Sequence, residues 1–96
     1  MTQIDIEKIT ISHKPDDSRY EARDGEALAG IMVYKLQGTK IVFTHTEVPP
    51  AYEGQGIAQK MVAFALDAAR SNQYQVVAQC PFVTSFIRRH KEYQDI

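Results

Sequence analysis

From Val48 to Ser71 the chain changes its grammar within a few residues, and that change limits the folds open to it. Pro49-Pro50 ends an extended stretch, because neither proline can donate to a strand ladder and the second disfavours helix at the first. Glu53-Gly54-Gln55-Gly56 follows. Ile57 to Ser71 then places Ile57, Met61, Phe64/Ala65 and Ala68 at the spacing of one buried helical face. Gln59, Lys60, Asp67 and Arg70 fall on the solvated side, and Asn72 suits the C-terminal cap. A short apolar strand, Tyr74 to Gln79, comes next, and Pro81 fits the first position of a second helix reaching about His90. Strand, crossover helix and strand in this order predict two parallel strands whose C-terminal ends share one edge.

The half before this switch reads as antiparallel. Ile4, Ile6, Ile9 and Ile11 look strand-like, but their alternation slips by one residue at Lys8, as at a bulge or a frayed start. His13 to Ser18 is turn chemistry, Arg19 to Arg23 a short strand, and Asp24-Gly25 a hairpin signal. Glu26 to Leu36 runs out, Gln37-Gly38 turns, and Lys40 to Val48 returns. On the returning strand Ile41, Phe43, His45 and Glu47 are expected on one face, with Val42, Thr44, Thr46 and Val48 on the other. The predicted order β-β-β-β-α-β-α describes an α/β (α+β) domain. An antiparallel meander of about four strands leads to a helix, a fifth strand parallel to the fourth, and a C-terminal helix. No linker, repeat or low-complexity tract divides the chain, so residues 1–96 read as a single domain.

Composition removes whole classes of function. With 44% hydrophobic and 24% charged residues the chain suits a packed core and is neither disordered nor collagen-like. Eleven basic against twelve acidic residues give a net charge of −1, so no global field draws the chain to nucleic acid or to a membrane surface. One cysteine excludes an internal disulfide, no Cys/His pair has zinc-finger spacing, and no metal is expected. Met1 to Ile11 carries Asp5, Glu7 and Lys8 among its isoleucines, unlike a signal peptide. No apolar run approaches the ~20 residues of a membrane helix. A soluble, cytoplasmic protein is the expectation.

Five groups of residues carry chemical possibilities. In Glu53-Gly54-Gln55-Gly56-Ile57-Ala58 the free amides of a first helical turn would converge on one spot. The helix dipole adds about half a positive charge there, which suits a pyrophosphate, and Lys60 could add a point charge. The alternative is a glycine turn that only starts a helix. Cys80, as N-cap of the second helix, stands where a thiol pKa is lowered, although a lone cysteine is also at home as a small buried hydrophobe. His45 and Glu47 could each accept a proton from a nearby nucleophile, or form a surface pair. Arg88, Arg89, His90 and Lys91 read as a solvated helix end, with a phosphate contact as the alternative. Phe82 and Phe86 read as core, with a ligand-stacking platform as theirs.

The run HTEVPPAYEGQGIAQKMVAFAL, followed by VAQCPFV and RRHKEY, resembles the minimal, YjdJ-like branch of the GNAT N-acetyltransferase superfamily. These are single-domain chains with a Cys-Pro-Phe segment after the fifth strand, and the resemblance covers essentially the whole sequence. It implies the GNAT fold, acetyl-CoA (coenzyme A) as co-substrate, and an amine acceptor, either a small amine or a protein lysine or N-terminus. The family's acetyl-CoA loop, Q/R-x-x-G-x-G/A, falls on Glu53 to Ala58, whose amides would hold the pyrophosphate. The main chain around Thr46 and Val48 would pair with the pantetheine arm, and Phe82 and Lys60 are counted with these among the cofactor-binding residues. Glu53 departs from the usual Gln or Arg, which implies weakened rather than lost binding. In this branch Cys80 is the candidate reactive group. Larger relatives often carry a tyrosine acid in the second helix; here the matching position is Ile87, with Tyr93 beyond the helix as a substitute.

Two routes follow from the resemblance. In direct transfer the amine attacks the thioester, with His45 or Glu47 as base and backbone donors on the oxyanion. In the covalent route Cys80 takes the acetyl group first and hands it on. Two rivals belong to other classes: a CoA-binding module with little catalysis, and a small interaction protein that binds no CoA. Amine-dependent thiol release separates the first rival, and thermal stabilisation by CoA the second.

Overall fold

The computed structural model describes residues 5–96. Its strands are β1 (Ile9–Lys14), β2 (Arg19–Asp24), β3 (Ala27–Gln37), β4 (Lys40–Glu47) and β5 (Gln75–Ala78), with helices α1 (Ile57–Ser71) and α2 (Pro81–Arg89). The sheet order is β1-β2-β3-β4-β5. The first four strands pair antiparallel, and β5 lies parallel to β4. This is the expected meander, crossover helix and parallel fifth strand. Ile4 lies outside the described residues. The slip at Lys8 is neither bulge nor fraying: a 3-10 turn over Ile6–Lys8 precedes the strand, which starts cleanly at Ile9.

A bulge in β4 overturns one expectation. Val33 pairs with His45 and Tyr34 with Phe43, so Thr44 is an extra residue, and the side-chain parity of β4 flips across it. Phe43 and Thr46 therefore face the same side: Phe43 pairs with buried Tyr34, and Thr46 with buried Met32. His45 and Glu47 pair with Val33 and Ile31 and leave by the opposite face. The simple alternation that put His45 and Glu47 beside Phe43 is thus corrected.

Both helices share one core with that first face. Phe43, Met32, Ile57, Met61, Leu66, Val62 and Val83 are its largest fully buried side chains. The buried stripe of α1 is broader than its spacing suggested, taking in Val62, Leu66 and Ala69, because the helix packs against both the sheet and α2. Phe64 is correspondingly turned outward, 46% exposed, with its ring edge-to-face with Tyr20. None of the helices is long and apolar enough to cross a membrane among the described residues.

The opposite sheet face carries Arg19, Glu21 and Arg23 in a row. Glu21 is buried beneath its neighbours, with Arg19 on one carboxylate oxygen (2.6 and 2.9 Å) and Arg23 on the other (2.9 and 3.3 Å). The hydrogen bonds from Arg23 and Arg19 hold its carboxyl below the ordinary glutamate range despite burial. A pKa lower in the folded than in the unfolded chain contributes stability above the unfolded value, ~4.3, and loses it as pH falls through the folded value. Glu21→Gln should therefore cost about 2 kcal/mol at pH 7 and progressively less in acid. Urea melts of both proteins at pH 7 and pH 3 measure this; an equal cost at both pH values would refute it.

Candidate functional site

Two local features meet at one end of the sheet. The first is the start of α1. Its N-cap is Gly56, which has no side chain to cap with, and the first turn contains no acidic residue. The first intrahelical bond runs from Lys60 N to Gly56 O, 3.1 Å. The amides of Ile57, Ala58 and Gln59 thus donate to nothing among the described residues, and they point outward with the positive end of the helix dipole. Gly54 and Gly56 take left-handed backbone, φ 75° and 84°, which bends the loop so that these donors converge; a Cβ at either would meet only open space.

The second feature is a parting of strands. Pairing of β4 with β5 stops at Phe43–Ala78, where the amides of Gln79 and Cys80 both donate to Phe43 O (3.0 and 3.1 Å). Beyond that point β5 turns into α2 while β4 continues, and the two strands diverge. A cleft of about 330 Å³ fills the space between this gap and the mouth of α1. Thr46, Val48 and Phe82 line one side; Glu53, Gly54, Gly56, Ile57 and Ala58 line the other. Eight of the residues singled out for CoA thus surround one cavity.

The remaining ones are placed differently. Gln55 is half-buried in the loop and is not part of the lining. Lys60 is a correction: its Nζ donates to the carbonyls of Ile6 (2.9 Å) and Ile9 (2.7 Å), tying α1 to the start of β1 and away from the cleft. Two lining residues had not been singled out. Tyr52 sits in the 3-10 turn Pro50–Tyr52 and donates its hydroxyl to Asp24 Oδ2, 3.3 Å; Gln59 is the third residue of the helix. The PPAY turn was legible, but that its tyrosine would reach back to the β2–β3 hairpin was not.

Cys80 is the N-cap of α2, as the Cys-Pro pair suggested, yet it is 6% exposed and sits just behind the cleft wall. Its Sγ lies 3.5 Å from Thr46 Oγ1. Burial by itself raises the thiol pKa; the Thr46 hydroxyl and the amides of Val83, Phe82 and Thr46 outweigh it, leaving the thiol below its ordinary value. His45 and Glu47 form an exposed pair, 3.2 Å apart, on the far face of β4, so the structure does not bring them together with Cys80. Ile87 packs against the core. Tyr93 is buried and donates to Asp67 Oδ1 (2.8 Å) on the C-terminal half of α1, with burial and that bond pushing its pKa up to about 12. It is a structural anchor distant from the mouth of α1. Among the described residues no three His, Cys, Asp or Glu side chains group as a metal ion requires.

An uncapped helix mouth facing a parted parallel strand pair is the kind of place where α/β domains hold phosphate-bearing ligands at the sheet edge. Comparison with known proteins names the class more closely. Residues 19–96 match the GCN5-related N-acetyl-transferase family, and the chain belongs to that family. The solution NMR structure of a GCN5-like protein from Staphylococcus aureus superposes with a TM-score of 0.73 at 22% identity, covering 93% of this chain and 87% of that one, and so shares the fold. Protein NATD1 of Bos taurus is 33% identical over 61 residues, 62% of this chain but only 54% of the bovine protein; the match spans about half of that relative's length. Protein NATD1 of Mus musculus is 27% identical over 84 residues, 85% of this chain and 76% of the mouse protein.

Proposed function

We propose that this chain is a cytoplasmic enzyme of the minimal, YjdJ-like branch that binds acetyl-CoA and transfers the acetyl group to a primary amine. The uncapped mouth of α1 is the observation that carries the reading. Three unbonded amides, two left-handed glycines with open space beside them and the positive helix end suit a diphosphate, and the gap beyond Phe43–Ala78 suits an extended arm. When bound, acetyl-CoA supplies the thioester whose acetyl group is transferred. Cys80, polarised by four donors, attacks the acetyl carbonyl carbon; the bond to the CoA sulfur breaks, and CoA leaves as a thiol protonated from water. The amine then attacks the acetyl group on Cys80, releasing the amide and regenerating the thiolate, while its spare proton passes to solvent water, because His45 and Glu47 stand on the far face of β4.

Direct attack of the amine on the thioester is the second reading, favoured by the burial of Cys80 and its place outside the cleft lining. A CoA-binding module with little catalysis would share the same helix mouth. Thermal melts test the shared premise. At 100 times its dissociation constant CoA adds ~2.7 kcal/mol, a rise of roughly 10 °C or more for a domain of this size. Glu53→Gln removes a carboxylate from the cleft lining and should tighten CoA roughly fivefold at low salt, with the gain fading as salt rises. No shift at millimolar CoA sinks the proposal.

A further inference from the structure

At the other end of α1 lies a second cavity of about 320 Å³, close in size to the first. Ala58 lines one and Asn72 the other, fourteen residues or ~20 Å apart along the helix, so the two are separate sites. Buried Tyr20, Tyr34 and Ala69 form its inner wall, while half-buried Tyr74 and exposed His13 and Leu36 form its rim. The aromatic groups are organised among themselves. His13 stacks on Tyr20 at 4.4 Å between centroids, and Tyr34 Oη lies 2.6 Å from His13 Nε2.

The lining contains no Lys, Arg, Asp or Glu, and this narrows the ligand. An anion would find no fixed positive charge there, and the nearest helix end is the carbonyl end of α1, at Asn72, which carries partial negative charge. Tyr20 and Tyr34 also hold their protons more tightly than ordinary phenols, first through burial and then through neighbouring tyrosines. Negative charge is therefore disfavoured in this space. Three phenol rings with oxygen acceptors, a helix carbonyl end and aliphatic Leu36 and Ala69 match a positive charge wrapped in methyl or methylene groups. We infer that this cavity is a second binding site, independent of the acetyl-CoA cleft, for a small alkylammonium ion.

The chain has no tryptophan, so its five tyrosines alone supply the intrinsic fluorescence. Choline titrated against a sodium chloride control of equal ionic strength should give a saturable change in that fluorescence and saturable amide shifts at Ala69, Asn72 and Tyr74. The neutral isostere 3,3-dimethylbutan-1-ol should bind about fivefold more weakly or worse. Tyr74→Leu, at a half-buried rim position that makes no side-chain hydrogen bond among the described residues, should weaken choline by a similar factor while leaving the thermal shift with CoA intact. Absence of saturation at 100 times the protein concentration and beyond, into tens of millimolar, overturns the site. Equal binding of choline and its neutral isostere overturns the ligand class. Choline-induced shifts confined to the Glu53–Gln59 loop would show that the only ligand site is the first cleft, and equally end the inference.

Discussion

Cys80→Ser protein incubated with acetyl-CoA should gain no acetyl mass, whereas the unaltered chain should gain one acetyl group that disappears when an amine is added. Turnover of the variant should fall on the order of 100-fold or more, because a serine hydroxyl stays protonated where the thiol ionises. The expectation rests on the four donors around Sγ. The Thr46 hydroxyl, which accepts from the thiol and turns to donate once the thiol ionises, and three backbone amides are held in place by the bulge in β4 and by the start of α2, so they favour the thiolate. Since the thiol lies below its ordinary value, the rate of adduct formation should level off at a lower pH than for an ordinary thiol and fall as pH drops through the shifted value. Removing the hydroxyl with Thr46→Val should move that fall to higher pH, while Thr46→Ser restores it. Intact-protein mass spectrometry and initial-rate kinetics decide between the routes. Ping-pong patterns accompany an acetylated Cys80; a variant that keeps most of its turnover, with no adduct on the unaltered chain, establishes direct attack and leaves Cys80 a buried wall residue.

The reach of the sequence differs between the backbone and the side chains of this site. Pro49-Pro50, the two glycines and Pro81 act locally, through fixed φ or permitted positive φ, so α1, the turn before it and the start of α2 were legible within a residue or two. The face that His45 and Glu47 occupy was not. It depends on one extra residue, Thr44, accommodated opposite Val33 and Tyr34, and nothing in the local sequence of β4 marks a bulge. Lys60 illustrates the same limit. Its position one turn into α1 suggested a phosphate partner, yet two carbonyls about fifty residues earlier in the chain claim its ammonium group. Burial of Cys80 likewise follows from α2 packing back over β4 and β5, a tertiary consequence that a Cys-Pro pair does not encode. Main-chain features of the cleft were therefore readable in advance; the side chains that act on a reacting group were decided by long-range packing.

Ala58→Asp should abolish the thermal shift with CoA while leaving the free protein about as stable as before. The two effects separate because the helix end treats every anion alike. An aspartate in the first turn gains ~0.3–1 kcal/mol from the dipole and from the unbonded amides, which offsets its poorer helix propensity of roughly 0.6 kcal/mol. Placed in the lining of the cleft, the same carboxylate faces any diphosphate held there. At roughly 5 Å and an effective dielectric near 20, each like-charge pair costs about 3 kcal/mol before screening, so affinity should fall by a factor of roughly 100 to 1,000. Ala58→Lys has similar bulk and the opposite sign. It should lower the melting temperature of the free protein slightly, because a cation opposes the dipole, yet retain or tighten CoA. Isothermal titration and melts on the three proteins give the comparison. If the aspartate and lysine variants lose CoA equally, bulk rather than charge governs the mouth of α1, and the diphosphate does not sit on those amides.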